Sequence, residues 1–272
     1  MPCYPLLSMR TPRRTLALGS VFLLTVLAAG EQQASSCSGS DPITAVPNRP
    51  TFSTTAEAVQ CGVLEAEYGF EAANGHQNVN GLLKFGATSK LELRFSHLPF
   101  ERDTSVAGFG DSGVGFKYKV RSQSKRLPTF SLLYNATLPT ATHDLGQGAF
   151  GHAVQILLSK DFGKHHLDWN EGIDFVGRTS PAHGFDRNYF SALAYSYQLS
   201  KNWAASGEVA GFSKTNTSTP ASLTVLGALT YNVSSRLVLD GGTYYAAFGH
   251  LPRITAFSGF TYSISDLYHH RR

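Results

Sequence analysis

Nine charged side chains stand where strand-like alternation would set them on one face: Glu65, Glu67, Glu71, Glu92, Arg94, Lys117, Lys119, Glu208 and Asp240. Carboxylates and cations on a shared surface can neutralise one another and fill an interior. They can also line a path whose field selects what passes. Catalysis asks for a different set. A nucleophilic serine needs a histidine base and an orienting partner, and no G-x-S-x-G elbow occurs. His165, His166 and Asp168 lie close together, but adjacent strand residues point to opposite faces, so both histidines cannot readily share one ion. Gly108-Phe109-Gly110-Asp111-Ser112-Gly113 spells G-x-G-x-x-G, yet a strand-like run, Val114 to Val120, follows where a dinucleotide site needs a helix. No catalytic, metal or cofactor-binding residues are assigned, and no cofactor is implied.

The elements that would position these charges are strands. In Val63 to Glu71, Leu64, Ala66, Tyr68 and Phe70 fall on one face and Glu65, Glu67 and Glu71 on the other. Leu91 to Phe95 and Val114 to Val120 repeat the pattern. An apolar face opposite a charged one, repeated behind an export signal, predicts an all-β fold: a transmembrane antiparallel up-and-down β-barrel of about 12 strands with a polar lumen. The expected spans are 62–72, 78–88, 90–98, 110–121, 128–138, 151–162, 166–177, 187–200, 202–213, 222–233, 236–248 and 253–264. Tight turns at 200–202 and 234–235 alternate with longer polar loops near 144, 183 and 217. That asymmetry predicts short periplasmic turns and long extracellular loops.

The ends frame the barrel. Residues 1–30 read as a signal peptide, with Arg10, Arg13 and Arg14 before an apolar stretch from Thr15 to Leu27 and small residues at 28–30. Residues 31–61 read as an N-terminal periplasmic arm or linker, 62–264 as the barrel and 265–272 as a C-terminal tail. Losing the three signal arginines takes the net charge from +4 to +1, which gives no electrostatic case for nucleic acid. Cys37 and Cys61 remain after Cys3 leaves with the presequence. An even pair in an exported chain is a candidate disulfide, tying the arm to the first strand.

The same positions carry a family resemblance. Asn48-Arg49-Pro50-Thr51-Phe52-Ser53-Thr54 and Val59-Gln60-Cys61-Gly62-Val63-Leu64-Glu65-Ala66-Glu67-Tyr68-Gly69 resemble the opening of the outer-membrane transporters named for the meta-pathway of phenol degradation. Leu91 to Arg94, Gly108 to Asp111 with Lys117, Leu138-Pro139-Thr140, Glu208, Leu239-Asp240 and Gly259 to Ile264 continue the match. Three positions depart from the family pattern. Thr51 stands where Asp is usual, Ala141 where Gly is usual, and the chain runs past Ile264 instead of ending on an aromatic strand residue. The resemblance implies an outer-membrane channel for passive uptake of small, often aromatic or hydrophobic, compounds, not an enzyme. Its partners would be outer-membrane lipid, the barrel-assembly machinery and a small solute that the sequence does not name. Two alternatives stand beside it: a structural or adhesive barrel plugged by residues 31–61, and a lipid-modifying barrel enzyme.

Overall fold

The computed structural model describes Cys37 and residues 42–142, 145–179, 184–217, 219–249 and 253–268. The signal peptide and the last four residues of the expected tail lie outside that set. The strands are β1 (Val63–Ala73), β2 (His76–Gly86), β3 (Leu91–Asp103), β4 (Val106–Gly108), β5 (Ser112–Arg121), β6 (Thr129–Leu138), β7 (Gly151–Phe162), β8 (His165–Arg178), β9 (Gly184–Gln198), β10 (Trp203–Phe212), β11 (Ser222–Asn232), β12 (Leu237–Phe248) and β13 (Ile254–Asp266). Each long strand pairs antiparallel with its neighbours in the chain, and β1 pairs with β13, from Val63↔Asp266 to Ala73↔Thr255. The sheet therefore closes on itself. β4 is a three-residue spur on the end of β3 only, so the wall has twelve strands. Closure leaves no open edge, which is what a sheet in hydrocarbon requires.

Alternation decides which face of each strand meets lipid. β9 shows it most plainly, with Leu193 and Tyr195 exposed between buried Ala192, Ala194 and Phe190. Phe70, Leu93, Val114, Phe116, Leu132, Ile156, Val209, Val225 and Leu229 are likewise exposed, and together they make an apolar outer band. The inner face is the reverse. Lys84, Lys117, Leu157, Glu65 and Glu92 are the largest fully buried side chains, so the molecule holds charge inside and greasy surface outside. One carboxylate breaks the rule: Glu171 faces outward, and takes hydrogen bonds from Trp169 Nε1 at 2.8 Å and Ser191 Oγ at 2.6 Å.

The connections sort by end. β1–β2 closes in two residues, with Gly75 at φ +79° supplying the left-handed position. The chain from Cys37 and the end of β13 share the other end with the connections around 200–202 and 234–235. The strands β6 and β7, β8 and β9, and β10 and β11 are connected at the opposite end; 144 and 183 lie outside the described residues. Strand 3 runs to Asp103 instead of ending near 98, because a bulge between Val79 and Gly81 lets β2 and β3 keep pairing beyond it.

Replacing Val225, exposed at mid-strand, with Arg should destabilise the barrel by roughly 2–4 kcal/mol, the cost of a lipid-facing cation near mid-depth. Thermal unfolding of lipid-reconstituted protein, followed by the loss of heat-modifiable gel mobility, would measure it. An unchanged transition would mean that this face does not meet lipid.

Candidate functional site

From sequence, residues 31–61 read as a periplasmic arm or linker, with a plug of the lumen as the alternative. In the structure, residues 42–60 run inside it. The segment enters at the terminal end, where Ala45 N donates to Ser235 O. It climbs along β1, β2 and β12 to Arg49, crosses the lumen at 50–53, and descends past β10, β8, β7, β6, β5 and β3. It makes neither a helix nor a strand, so its amides must find partners elsewhere. They find inward side chains. Val46 N donates to Glu65 at 2.9 Å, Asn48 N to Glu67 at 2.8 Å and Val59 N to Glu92 at 2.9 Å. Phe52 N and Ser53 N donate to Glu208 at 2.7 and 2.6 Å, and Ser53 Oγ adds a third bond. Thr54 N reaches Asn170 and Ala56 N reaches Ser159. The wall's charged face thus serves as the hydrogen-bonding partner of an irregular inner loop. Cys37 and Cys61 are joined, closing that loop at its base across 24 positions of sequence.

All nine charged residues singled out from sequence point inward, and their partners are now visible. Lys84 sits between Glu65, 2.6 Å away, and Glu67, with all three side chains at most 3% exposed. Glu92 pairs with Arg94 at 2.9 Å and with Lys117 at 3.4 Å. Lys117 also donates to Thr55 O and Glu57 O of the loop, and Lys119 pairs with Glu57 at 3.1 Å. Asp240 is held by Arg49, whose Nε and Nη2 both reach it. Glu71 accepts from Asn80 and Tyr244.

Parity alone would have acids of β1 and β12 gather on one side, with Arg94, Lys117 and Lys119 as their counter-charges. The structure answers with different cations. Lys84 neutralises Glu65 and Glu67, and Arg49 of the loop neutralises Asp240. Lys84 was legible, since the outward Leu83 and Phe85 flank it. Arg49 and Glu57 carried no strand signal, because they belong to the irregular segment.

Two features fill the lumen beyond the ion pairs. Phe190, Ala210, Phe212, Leu226, Tyr244 and Phe257 form an apolar inner wall, and Phe52 of the loop packs against it, 5.2 Å from the Tyr244 ring. On the other side, between the loop and the connections at 147 and 215–219, a cavity of about 750 Å³ remains. Its lining is mostly amides and hydroxyls, with Arg49, Glu67, Arg94 and Asp174 as the charges.

His166, at the start of β8 and not in a turn, lies between Asp161 at 2.7 Å and Asp168 at 3.0 Å. Ser159 Oγ donates to Asp168 at 2.5 Å. This is not a hydrolytic triad. Such a triad places histidine between serine and carboxylate, so that the imidazole takes the serine's proton. Here the carboxylate lies between, and Ser159 Oγ is already occupied by Ala56 N. Among the described residues no group of His, Cys, Asp and Glu is arranged to hold a metal ion.

A closed antiparallel wall of twelve strands is the fold of outer-membrane channels to which this chain is similar. The family described as "Putative MetA-pathway of phenol degradation" matches residues 48–265, from inside the inner loop to the end of β13. The chain belongs to that family. No curated protein sequence matches it. Among solved structures, an outer membrane channel from Pseudomonas putida F1 is similar, with a TM-score of 0.60 at 14% identity, covering 77% of this chain and 98% of that one. The NanC porin covers 74% and 100% at TM-score 0.56 and 10% identity. The KdgM porin, solved in complex with disordered oligogalacturonate, covers 74% and 99% at TM-score 0.55 and 10% identity. At these identities the likeness establishes the fold: this family member has the closed barrel of outer-membrane porins. The matched residues include the span from Asn48 to Gln60 of the inner loop.

Because the bridge closes the inner loop, Cys37→Ser should loosen the loop's base without touching the wall. A loop of this length predicts a loss of roughly 2–4 kcal/mol on the chain-entropy account. Chemical unfolding of oxidised and reduced protein checks it, and equal stability would show that the bridge does not constrain the unfolded chain.

Proposed function

We propose that this protein is a passive outer-membrane channel for uptake of small compounds, with its free width set by the inner loop. The observation that carries the reading is the cavity: about 750 Å³ of polar lumen between the loop and the far end of a closed wall. Family membership supports the same reading. The signal peptide, cleaved on export, would deliver the chain to the assembly machinery. The end holding the start of β1, the end of β13 and the connections around 200–202 and 234–235 would face the periplasm. Charges that sequence analysis offered as a pathway or an ion-pair network divide between two roles. Glu65, Glu92, Lys117 and Glu208 hold the loop, Glu67 holds the loop and borders the cavity, and Arg94 borders the cavity. An aromatic or hydrophobic solute, as the resemblance implies, would use the wall from Phe190 to Phe257, which Phe52 now covers. Ser159 gives no support to lipid hydrolysis, since it donates to Asp168 and does not reach a histidine.

The alternative reading, a plugged structural barrel, draws on the loop's many hydrogen bonds. Purified full chain in planar bilayers separates the two. The channel reading expects discrete conductance steps in potassium chloride and swelling of liposomes by small solutes. A wall that inserts and never conducts would contradict it and favour the plug.

A further inference from the structure

We propose that the lumen favours cations over anions, with Asp174 setting the preference in the cavity. The proposal rests on the channel reading, because it names the charge of the solute that the barrel admits.

The ion pairs decide the sign once each is counted with all its members. Glu65, Glu67 and Glu92 balance Lys84, Lys117 and Arg94. Asp240 balances Arg49, Glu57 balances Lys119 and Asp186 balances Arg178. Among the described residues these are the cations that the strands and the inner loop turn into the lumen, and each has its carboxylate. Acids are left over. Glu71, Asp174 and Glu208 also point inward, and none of them meets a cation. Glu71 accepts from Asn80 and Tyr244, and Glu208 from Phe52 N, Ser53 N and Ser53 Oγ. Those donors are neutral, so they satisfy the oxygens and leave the charge.

Asp174 is the one of these three that lines the cavity. Its partners on the adjacent strands are Ala153 and Asn188, which bring no charge. It makes neither a hydrogen bond nor an ion pair among the described residues. Arg49, Glu67 and Arg94, the other charges of the lining, are already balanced, so the cavity keeps a net negative charge. Asn48 points the same way independently. It lines the cavity, is 8% exposed, donates Nδ2 to Glu67 and leaves Oδ1 without a donor. The Nε–H of Arg94 also lacks a partner, but its guanidinium belongs to the balanced group and adds no net charge.

A closed wall clad in hydrocarbon cannot screen a lumenal charge from the side. The field of an uncancelled carboxylate is therefore focused along the lumen, where it attracts cations and repels anions.

Reversal potentials of the full chain in planar bilayers under a potassium chloride gradient test this. Potassium should permeate several-fold better than chloride. Asp174→Asn removes no contact, so the wall should stand while the permeability ratio falls by about half or more. Asn188→Lys sets an ammonium beside Asp174 and should lower the ratio in the same way. Glu171→Gln, on the lipid face, should leave it unchanged. A current with no cation preference, or a preference that Asp174→Asn and Asn188→Lys both leave intact, would overturn this proposal alone. If no current passes, calorimetric titration of the detergent-solubilised full chain reads the preference with N-methylglucamine, sorbitol and gluconate, which share one polyol chain and differ in charge. N-methylglucamine should bind tightest and gluconate weakest, and Asp174→Asn should bring N-methylglucamine to the level of sorbitol. That order without conduction sinks the channel reading alone. Gluconate binding as tightly as N-methylglucamine sinks the proposal.

Discussion

Excising residues 44–58 and bridging the gap with a short glycine-serine linker should raise single-channel conductance several-fold. The inner loop spans the terminal half of the lumen, from Ala45 at Ser235 to Val59 at Glu92. Its removal leaves every wall pairing from β1 to β13 in place. A barrel of this strand number is wide enough to leave space once nothing is folded into it. The excision also strips Glu208 of three donors and Asp240 of its guanidinium, so thermal stability should fall as conductance rises. Unchanged conductance from a folded, inserted variant would mean that the narrowest point lies elsewhere, at the loop end.

Lys84→Met should be the most damaging single substitution in the wall. The ammonium lies at 0% exposure between Glu65 and Glu67, and also donates to Val46 O of the loop. Methionine keeps the stem's volume and removes the charge, so two buried carboxylates lose their one cation. Breaking a buried pair in this way costs about 3–5 kcal/mol. The expected result is a large fall in the denaturant midpoint, with partial recovery in Lys84→Met/Glu65→Gln, where one of the two stranded charges is gone. A midpoint within error of the parent protein would show that water reaches this group and screens it.

The wall was legible in the sequence because its signal is local. Period-two alternation needs only a strand's own residues, and lipid enforces it from outside. Hence β7 begins and ends at the residues alternation picks, 151 and 162, and β12 departs by one residue. The largest misjudged boundary, the end of β3, fell beyond the bulge, whereas β9 begins three residues before the expected 187 in regular pairing. The inner loop was legible only as an alternative, a plug from residues 31–61, and for the opposite reason. Ser, Thr, Pro and Asn from 42 to 60 are what a solvated linker also contains, and their partners lie far along the chain, as with Arg49 and Asp240, 191 positions apart. Nothing local tells a polar segment bathed in water from one bathed in a polar lumen. A signal was present in Glu208 and Asp240: an inward acid with no inward cation on the neighbouring strands must find its donor elsewhere. For Glu208 that donor was backbone, which no side-chain pattern reveals. Parity sets Arg94 on the same face as Glu92, and the two pair at 2.9 Å.

The central claim is that residues 42–60 lie inside the barrel in the membrane, bonded to its charged inner face. Hydrogen exchange of the full chain in lipid nanodiscs, read by mass spectrometry on peptides covering 44–60, tests it most directly. The amides of Val46, Asn48, Phe52, Ser53, Ala56 and Val59 donate to side chains of the wall, so these peptides should stay protected over the minutes-to-hours range in which core strands exchange. Glu208→Ala should release protection at 52 and 53 while leaving 46 and 59 protected. Complete exchange of 44–60 within seconds in the intact protein would contradict the account, because it would place the loop in solvent and leave the inner charges without the partners described.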